Sequence, residues 1–237
     1  MRKLCFILAA FVSTAAFSQS TPAKKKIITH PADHLMLQLA ANSWNGAADS
    51  VSKYEKGLNR SANVAIMFDK PFKGSPRMSM AFGLGVTTSN IYFSKMEVNI
   101  TSLKSPLPFV RTDTGNHYKK YKLSTAYLEI PVELRFMTHP ETPNKSIKAA
   151  IGFKVGTLLN AHTKGKILQS SGGTKLNDLT VKESSKSFFN TTRLAATARV
   201  GYGIFSIFGA YNITNVFKDG VTPDTKLLQV GLSISGL

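Results

Sequence analysis

Beyond residue 34 the apolar positions recur every second residue, the spacing that predicts strands, because successive strand side chains point to opposite faces. Near the C-terminus Leu228, Val230, Leu232 and Ile234 share one face, and Gln229, Gly231, Ser233 and Ser235 share the other. Just upstream, Phe205, Ile207, Gly209 and Tyr211 alternate with Ser206, Phe208, Ala210 and Asn212. The same alternation fills residues 193–202, 147–156, 127–136 and 77–86, and weaker runs cover 35–42 and 62–68. Eight strands are predicted.

One face of these runs is nearly free of charge. The other carries Arg77, Glu129, Glu133, Arg135, Lys148, Lys154, Arg193 and Arg199 among small residues. A soluble barrel or sandwich points its apolar face inward, whereas a transmembrane barrel turns it to lipid and keeps charge in the lumen. The connections separate the two. Residues 43–60 form a long polar connection, 69–76 a short one with Pro71, Gly74 and Pro76, and 89–120 a long one. Then follow a short connection at 138–145, a long one at 161–187, a tight turn near Gly203 and a moderate one at 214–225. Short periplasmic turns alternating with longer outer loops are a property of outer-membrane barrels. With the N-terminus entering from the periplasm, the first connection is an outer one and is long. Phe136, Tyr202 and Phe205 fall at the expected inner rim of the apolar face, as an aromatic girdle would. The expectation is therefore all-β: an eight-stranded antiparallel transmembrane β-barrel with short periplasmic turns and long extracellular loops. On this reading Val230→Arg meets lipid and blocks assembly, and Ser233→Arg on the lumen face is tolerated better.

The N-terminus adds a compartment. Arg2 and Lys3 precede an apolar stretch at 4–12, and small residues lead to Ala16 and Ser18 at the −3 and −1 positions of a cut before Gln19. Residues 1–18 are expected to be a secretory signal peptide, 19–33 a flexible leader and 34–237 the barrel domain. The single cysteine, Cys5, lies within the signal. Cleavage leaves no disulfide, thiolate nucleophile or Cys-based zinc site. The expected location is the bacterial outer membrane.

The stretch 127–136, Tyr-Leu-Glu-Ile-Pro-Val-Glu-Leu-Arg-Phe, resembles a strand of the PorT-like outer-membrane β-barrel family of Bacteroidetes-type bacteria. The ending 227–235, Leu-Leu-Gln-Val-Gly-Leu-Ser-Ile-Ser, is similar to that family's last strand, and Ala16–Gln19 fits its cleavage region. Leu237 departs from the terminal aromatic common in outer-membrane barrels. The resemblance implies an eight-stranded outer-membrane barrel with no catalytic residues, and loosely a role in secretion.

Eight strands leave an interior only wide enough for side chains, so the charges named above are expected to form a lumen network in which Glu129 and Glu133 lie among the bases. As a catalytic pair the two glutamates fail, since four residues on one strand separate them by about 13 Å. His30, His34, His117, His139 and His162 show no metal-ligand spacing beyond a loose His30/His34 pair. Gly83-Leu-Gly85 lies within a strand, where glycine makes room for bulky neighbours. No catalytic, metal or cofactor site is predicted.

The 237 residues hold 30 Lys+Arg against 13 Asp+Glu, a net charge of +17. Lys24–Lys26 and the cluster Arg111, His117, Lys119, Lys120 and Lys122 contribute to it. For an exported barrel the expected anionic partners are outer-membrane lipid and lipopolysaccharide phosphates rather than nucleic acid. The leading functional expectation is a non-enzymatic outer-membrane protein, structural or porin-like. A partner-binding module using its extracellular loops for secretion or adhesion, and a soluble lipocalin-like binding barrel, are the alternatives.

Overall fold

Alternating side chains need a paired backbone, and here the pairing closes on itself. The computed structural model describes residues 35–103 and 106–235; the expected signal, the leader and Cys5 lie outside them. The strands are β1 (Leu35–Asn45), β2 (Asn59–Phe72), β3 (Ser75–Phe93), β4 (Met96–Val98), β5 (Phe109–Arg111), β6 (His117–Met137), β7 (Ile147–Gln169), β8 (Lys175–Ser184), β9 (Thr192–Tyr202), β10 (Phe205–Asn212) and β11 (Lys226–Ser235). Antiparallel pairing runs β6-β3-β2-β1-β11-β10-β9-β7, and β6 also pairs with β7. Eight strands, each beside its neighbours in the chain, make a closed up-and-down barrel.

The two faces separate as in a membrane barrel. Leu39, Ile66, Phe82, Ile130, Ile151, Val200, Ile207, Val230 and Leu232 point outward and are exposed. The inward positions are buried and largely polar or charged. A lipocalin-like interior would need the opposite arrangement. Phe136, Tyr202 and Phe205 are exposed on the outer surface near the inner turns, and Phe205 pairs with Tyr202 across one of them. That turn is a two-residue hairpin at 203–204, with Gly203 at φ 61. Such positive φ is what a tight hairpin asks of glycine. The turn between β2 and β3 is reduced to residues 73–74.

The ladder has one gap that its sequence explains. β3 and β6 pair from Met78↔Phe136 to Phe82↔Val132 and resume at Gly85↔Glu129. Pro131 sits in the gap and lacks the N–H that a ladder bond needs.

Two expected loops are largely strand. Residues 89–120 contain the end of β3, the β4–β5 hairpin and the start of β6; residues 161–187 contain the end of β7 and all of β8. β3, β6 and β7 run for 19, 21 and 23 residues, whereas about 9–11 cross the apolar layer. The excess stands outside the membrane. There no lipid demands an apolar face, so the alternation that marks a strand fades although the backbone pairing continues.

Ser233 is fully buried and its Oγ accepts a bond from Gln38 Nε2 at 3.4 Å. The expected tolerance of Ser233→Arg is therefore corrected: an arginine there meets occupied space. Val230→Arg keeps its prediction, since a mid-layer charge facing lipid costs about 2–4 kcal/mol. It should abolish the band that shifts on boiling in outer-membrane fractions, while Arg77→Gln at the exposed inner mouth should keep it. Equal assembly of Val230→Arg and parent would contradict the lipid-facing assignment.

Candidate functional site

The interior is built in layers. In one layer Arg193 on β9 reaches across β7 to Glu129 on β6, Nη1 to Oε1 at 2.7 Å. The strand between offers Gly156 opposite both residues; a Cβ there would come within 2.7 Å of Glu129 Cγ. Glycine thus leaves the path for the ion pair. The guanidinium also donates from Nε to Asn212 Oδ1 at 2.9 Å and from Nη2 to Gln229 Oε1 at 3.0 Å, and it lies 5.5 Å from the Tyr127 ring centroid. The Thr87 hydroxyl donates to the second Glu129 oxygen.

A second layer lies one turn of the pattern closer to the periplasm. Arg199 donates from Nε and Nη2 to Glu133 Oε2 at 3.2 and 3.0 Å, and from Nη1 to Ser235 Oγ at 3.2 Å. Arg135 donates from Nε to the same Glu133 oxygen at 3.0 Å and approaches Asp69 Oδ1 with Nη1 at 3.8 Å. Lys154, opposite Pro131, lies between the layers and donates to Gln38 Oε1 at 3.0 Å. Lys148 is buried at the inner end beside a small cavity shared with Asp69, Arg135 and Arg199.

Seven of the eight charged residues singled out in the sequence are thus buried in the interior. Arg77 is not. It points to the same side but is exposed at the inner mouth, beyond the last layer of side chains that could enclose it. The residues missed by counting charges are neutral partners: Gln38, Asn63, Asn212, Gln229 and Thr87, together with Asp69. Each sits on the inward parity of its strand, which is the only sequence signal that marks them.

The outer mouth was not legible as a site. Trp44, Val51, Ile91, Phe93, Met96 and Val98 join Phe188, Phe189, Val216, Phe217 and Val221 in one buried apolar cluster. Trp44 packs on Phe93 and Phe217 at centroid distances of 5.8 and 5.5 Å, and Phe189 packs on Phe217 at 5.2 Å. A short helix α1 (Asp49–Ser52) contributes Val51. The apolar pairs at 188–189 and 216–217, set in otherwise polar connections, were the available signal.

The expected basic cluster is divided. Arg111 stacks 5.6 Å over the Tyr54 ring, and the Lys119 carbonyl accepts a bond from Lys56. Lys120 and Lys122 point to the outer surface of β6, and His117 begins that strand. His117, His139 and His162 lie apart, in β6, an inner turn and β7; His30 and His34, like Lys24–Lys26, fall outside the described residues. Among the described residues no group of three His, Cys, Asp or Glu could hold a metal ion.

The sequence profile of the family described as outer membrane protein beta-barrel domain matches residues 34–218. The chain belongs to that family. Its apolar outward belt and closed ladder are those of an outer-membrane β-barrel protein. No curated protein matches the chain. Among the solved structures that resemble it are Ail, the attachment invasion locus protein of Yersinia pestis, at 13% identity and a TM-score of 0.33, and the same protein in complex with the heparin analogue sucrose octasulfate, at 13% and 0.30. In each the match covers 85% of this chain and 94% of Ail. At such scores the likeness carries no argument about fold or ligand.

The Glu129–Arg193 pair allows a direct energetic test. Removing one partner of a buried pair costs about 3–5 kcal/mol, because the other charge is left without compensation. Glu129→Gln and Arg193→Gln should each lower unfolding stability in lipid vesicles by that order. The double variant should fall well short of their sum, by at least about 1 kcal/mol. Additive losses, followed by urea-induced unfolding, would show that the two side chains do not act as a pair.

Proposed function

We propose that this is a non-enzymatic structural barrel of the outer membrane, closed to ions, that meets partners with its extracellular end. The observation that carries the reading is the pair of buried ion-pair layers packed inside the barrel. The hollow at the inner end measures about 20 Å³ and the one beneath the outer cap about 10 Å³. Each holds on the order of one water. Between them lie the two ion-pair layers. The porin-like form of the function asks for a continuous wet path, and the packed side chains oppose it.

The reading takes residues 1–18 as a signal peptide cleaved on export and 34–237 as the barrel domain, with the flexible leader at 19–33 on the periplasmic side. It keeps the PorT-like, Bacteroidetes-type assignment, supported by the strand 127–136 and the ending 227–235. The interior charges Glu129, Glu133, Arg135, Lys148, Lys154, Arg193 and Arg199 serve as a plug that ties strands two apart through its ion pairs and reaches the far side of the ring through Lys154 and Gln38. Arg77 belongs to the inner rim.

The partner-binding form has its own support. Over the cap opens a mostly apolar hollow of about 340 Å³, lined by Trp44, Val51, Leu107, Phe109, Phe217 and Val221. Such hollows with a few polar groups are the usual form of a recognition site.

Planar-bilayer recording tests the closed interior. The parent protein should give no conductance steps above the lipid baseline. Removing both layers with Arg193→Ala and Glu129→Ala together with Arg199→Ala and Glu133→Ala should produce small steps or flicker. Regular steps from the parent barrel would establish a pore and overturn the closed reading.

A further inference from the structure

Above the membrane, the outward face of the sheet carries a row of like charges set directly against one another. β6 and β7 pair with Lys120 opposite Lys166 and Lys122 opposite Lys164, and β8 extends the second row with Lys182 opposite Lys164. Directly opposed residues hold their Cβ atoms about 4.5–5.5 Å apart, and like charges so placed are destabilising. β3 completes the row with Tyr92 opposite Lys122. Lys122 Nζ donates to Asn90 Oδ1 at 2.6 Å and lies 5.9 Å from the Tyr92 ring centroid.

The nearby acids form no ion pair with these charges, and Lys166 acts on the exposed Asp178 carboxyl only behind its own partner Lys175. Among the described residues none of the five lysines makes an ion pair. Glu183, beside Lys182 in β8, lies opposite Thr163 and so turns to the other face. Asp178 pairs with Lys175 at 2.7 Å. Burial, then the charges of Lys164 and Lys166, push the Lys122 ammonium below its ordinary pKa. Burial, then Lys182, Lys122 and Lys164, do the same to His162. Tyr92, Lys120, Lys122, Lys164 and Lys166 border a cleft of about 230 Å³.

The place of the row selects the anion. Lower on the same outward face of the same strands runs the apolar belt, with Ile130 and Leu134 on β6 and Ile151, Phe153 and Val155 on β7. Uncharged residues and one histidine fill the interval: Ser124 and Ala126 on β6, Asn160 and His162 on β7. At strand rise and barrel tilt, the step from Leu128 to Lys122 climbs about 15 Å. That is the height of a sugar headgroup whose acyl chains lie on the belt. The row also looks sideways, toward a neighbour in the membrane plane, and not upward from the loop tips where a soluble polyanion would dock.

We propose that Lys120, Lys122, Lys164, Lys166 and Lys182, with Tyr92, bind the phosphate groups of a glycolipid of the surrounding outer leaflet. The proposal does not depend on whether the barrel conducts. Each phosphate supplies the negative charge that the sheet lacks, and phosphate–lysine contacts turn a repulsive row into an attractive one.

The test uses the full-length folded barrel in zwitterionic detergent, titrated with bisphosphorylated lipid A, with the same glycolipid stripped of phosphate, and with polyphosphate. Phosphorylated lipid A should bind at least tenfold more tightly than the stripped form. The variant Lys122→Gln/Lys164→Gln/Lys166→Gln should lose that preference, while Lys186→Gln should keep it. In detergent alone the triple variant should unfold at a higher temperature than the parent, because the repulsion is gone. With phosphorylated lipid A present, the order should reverse. Equal binding of the two glycolipids by the parent protein, or an unchanged preference in a triple variant that still shifts on boiling, overturns the proposal. Polyphosphate binding as tightly as phosphorylated lipid A overturns the membrane source. The comparison of glycolipids on the parent protein needs no variant and decides the matter even if the triple variant misfolds.

Discussion

Inside the apolar layer of a membrane no water is available to a backbone N–H or C=O, so every strand must find hydrogen-bonding neighbours on both sides. In this chain that requirement is met by closure: β1 pairs with both β2 and β11, and β6 pairs with both β3 and β7. Everything else follows from the closed ladder. Eight strands make a cylinder too narrow for bulk water, so polar side chains on the inward parity can satisfy one another only across the interior. Arg193 spans β7 to reach Glu129, and Arg199 does the same to reach Glu133. The outward parity, left to lipid, is free to be apolar throughout.

The interior polarity also changes along the axis. Ion pairs occupy the level of the membrane and tie strands two apart, β9 to β6 across β7, while the Lys154–Gln38 bond joins β7 to β1 on the far side of the ring. Near the outer mouth the inward positions become Trp44, Ile91, Phe93, Leu123 and Leu227, and loop residues close over them. The Leu107 amide donates to the Val221 carbonyl, and the Phe189–Phe217 bridge joins two further connections. The extracellular end is therefore a small folded layer with its own apolar core. It gives the lysine-bearing extensions of β6, β7 and β8 a rigid support.

The barrel itself was legible because lipid on one side and a packed polar interior on the other impose a strict period of two. From 147 to 156 every inward residue is small, polar or charged and most outward residues are bulky and apolar, so strand, face and phase follow together. The charged residues of the interior were legible for the same reason. Arg77 shows the limit of parity: it gives the face of a residue but not its height, and two residues beyond Ser79 the barrel no longer encloses a side chain. The extensions at 89–93, 117–120 and 161–169 and strand β8 were read as loop because water and the cap replace lipid there, and Lys164, Gly165 and Lys166 carry no alternation of hydrophobicity. The lysine row depended on register, which places residues more than forty positions apart side by side. Composition shows only that bases are in excess.

The protein contains one tryptophan, and Trp44 sits on the inward side of β1 beneath the cap, 9% exposed. Its fluorescence tests the capped, filled barrel without any substitution. In lipid vesicles the emission should be blue-shifted, quenched little by acrylamide or iodide, and quenched little by acyl chains brominated at any depth. Strong iodide quenching would show an open outer mouth, and strong quenching by brominated chains would put Trp44 on the lipid face. Either result would contradict the account.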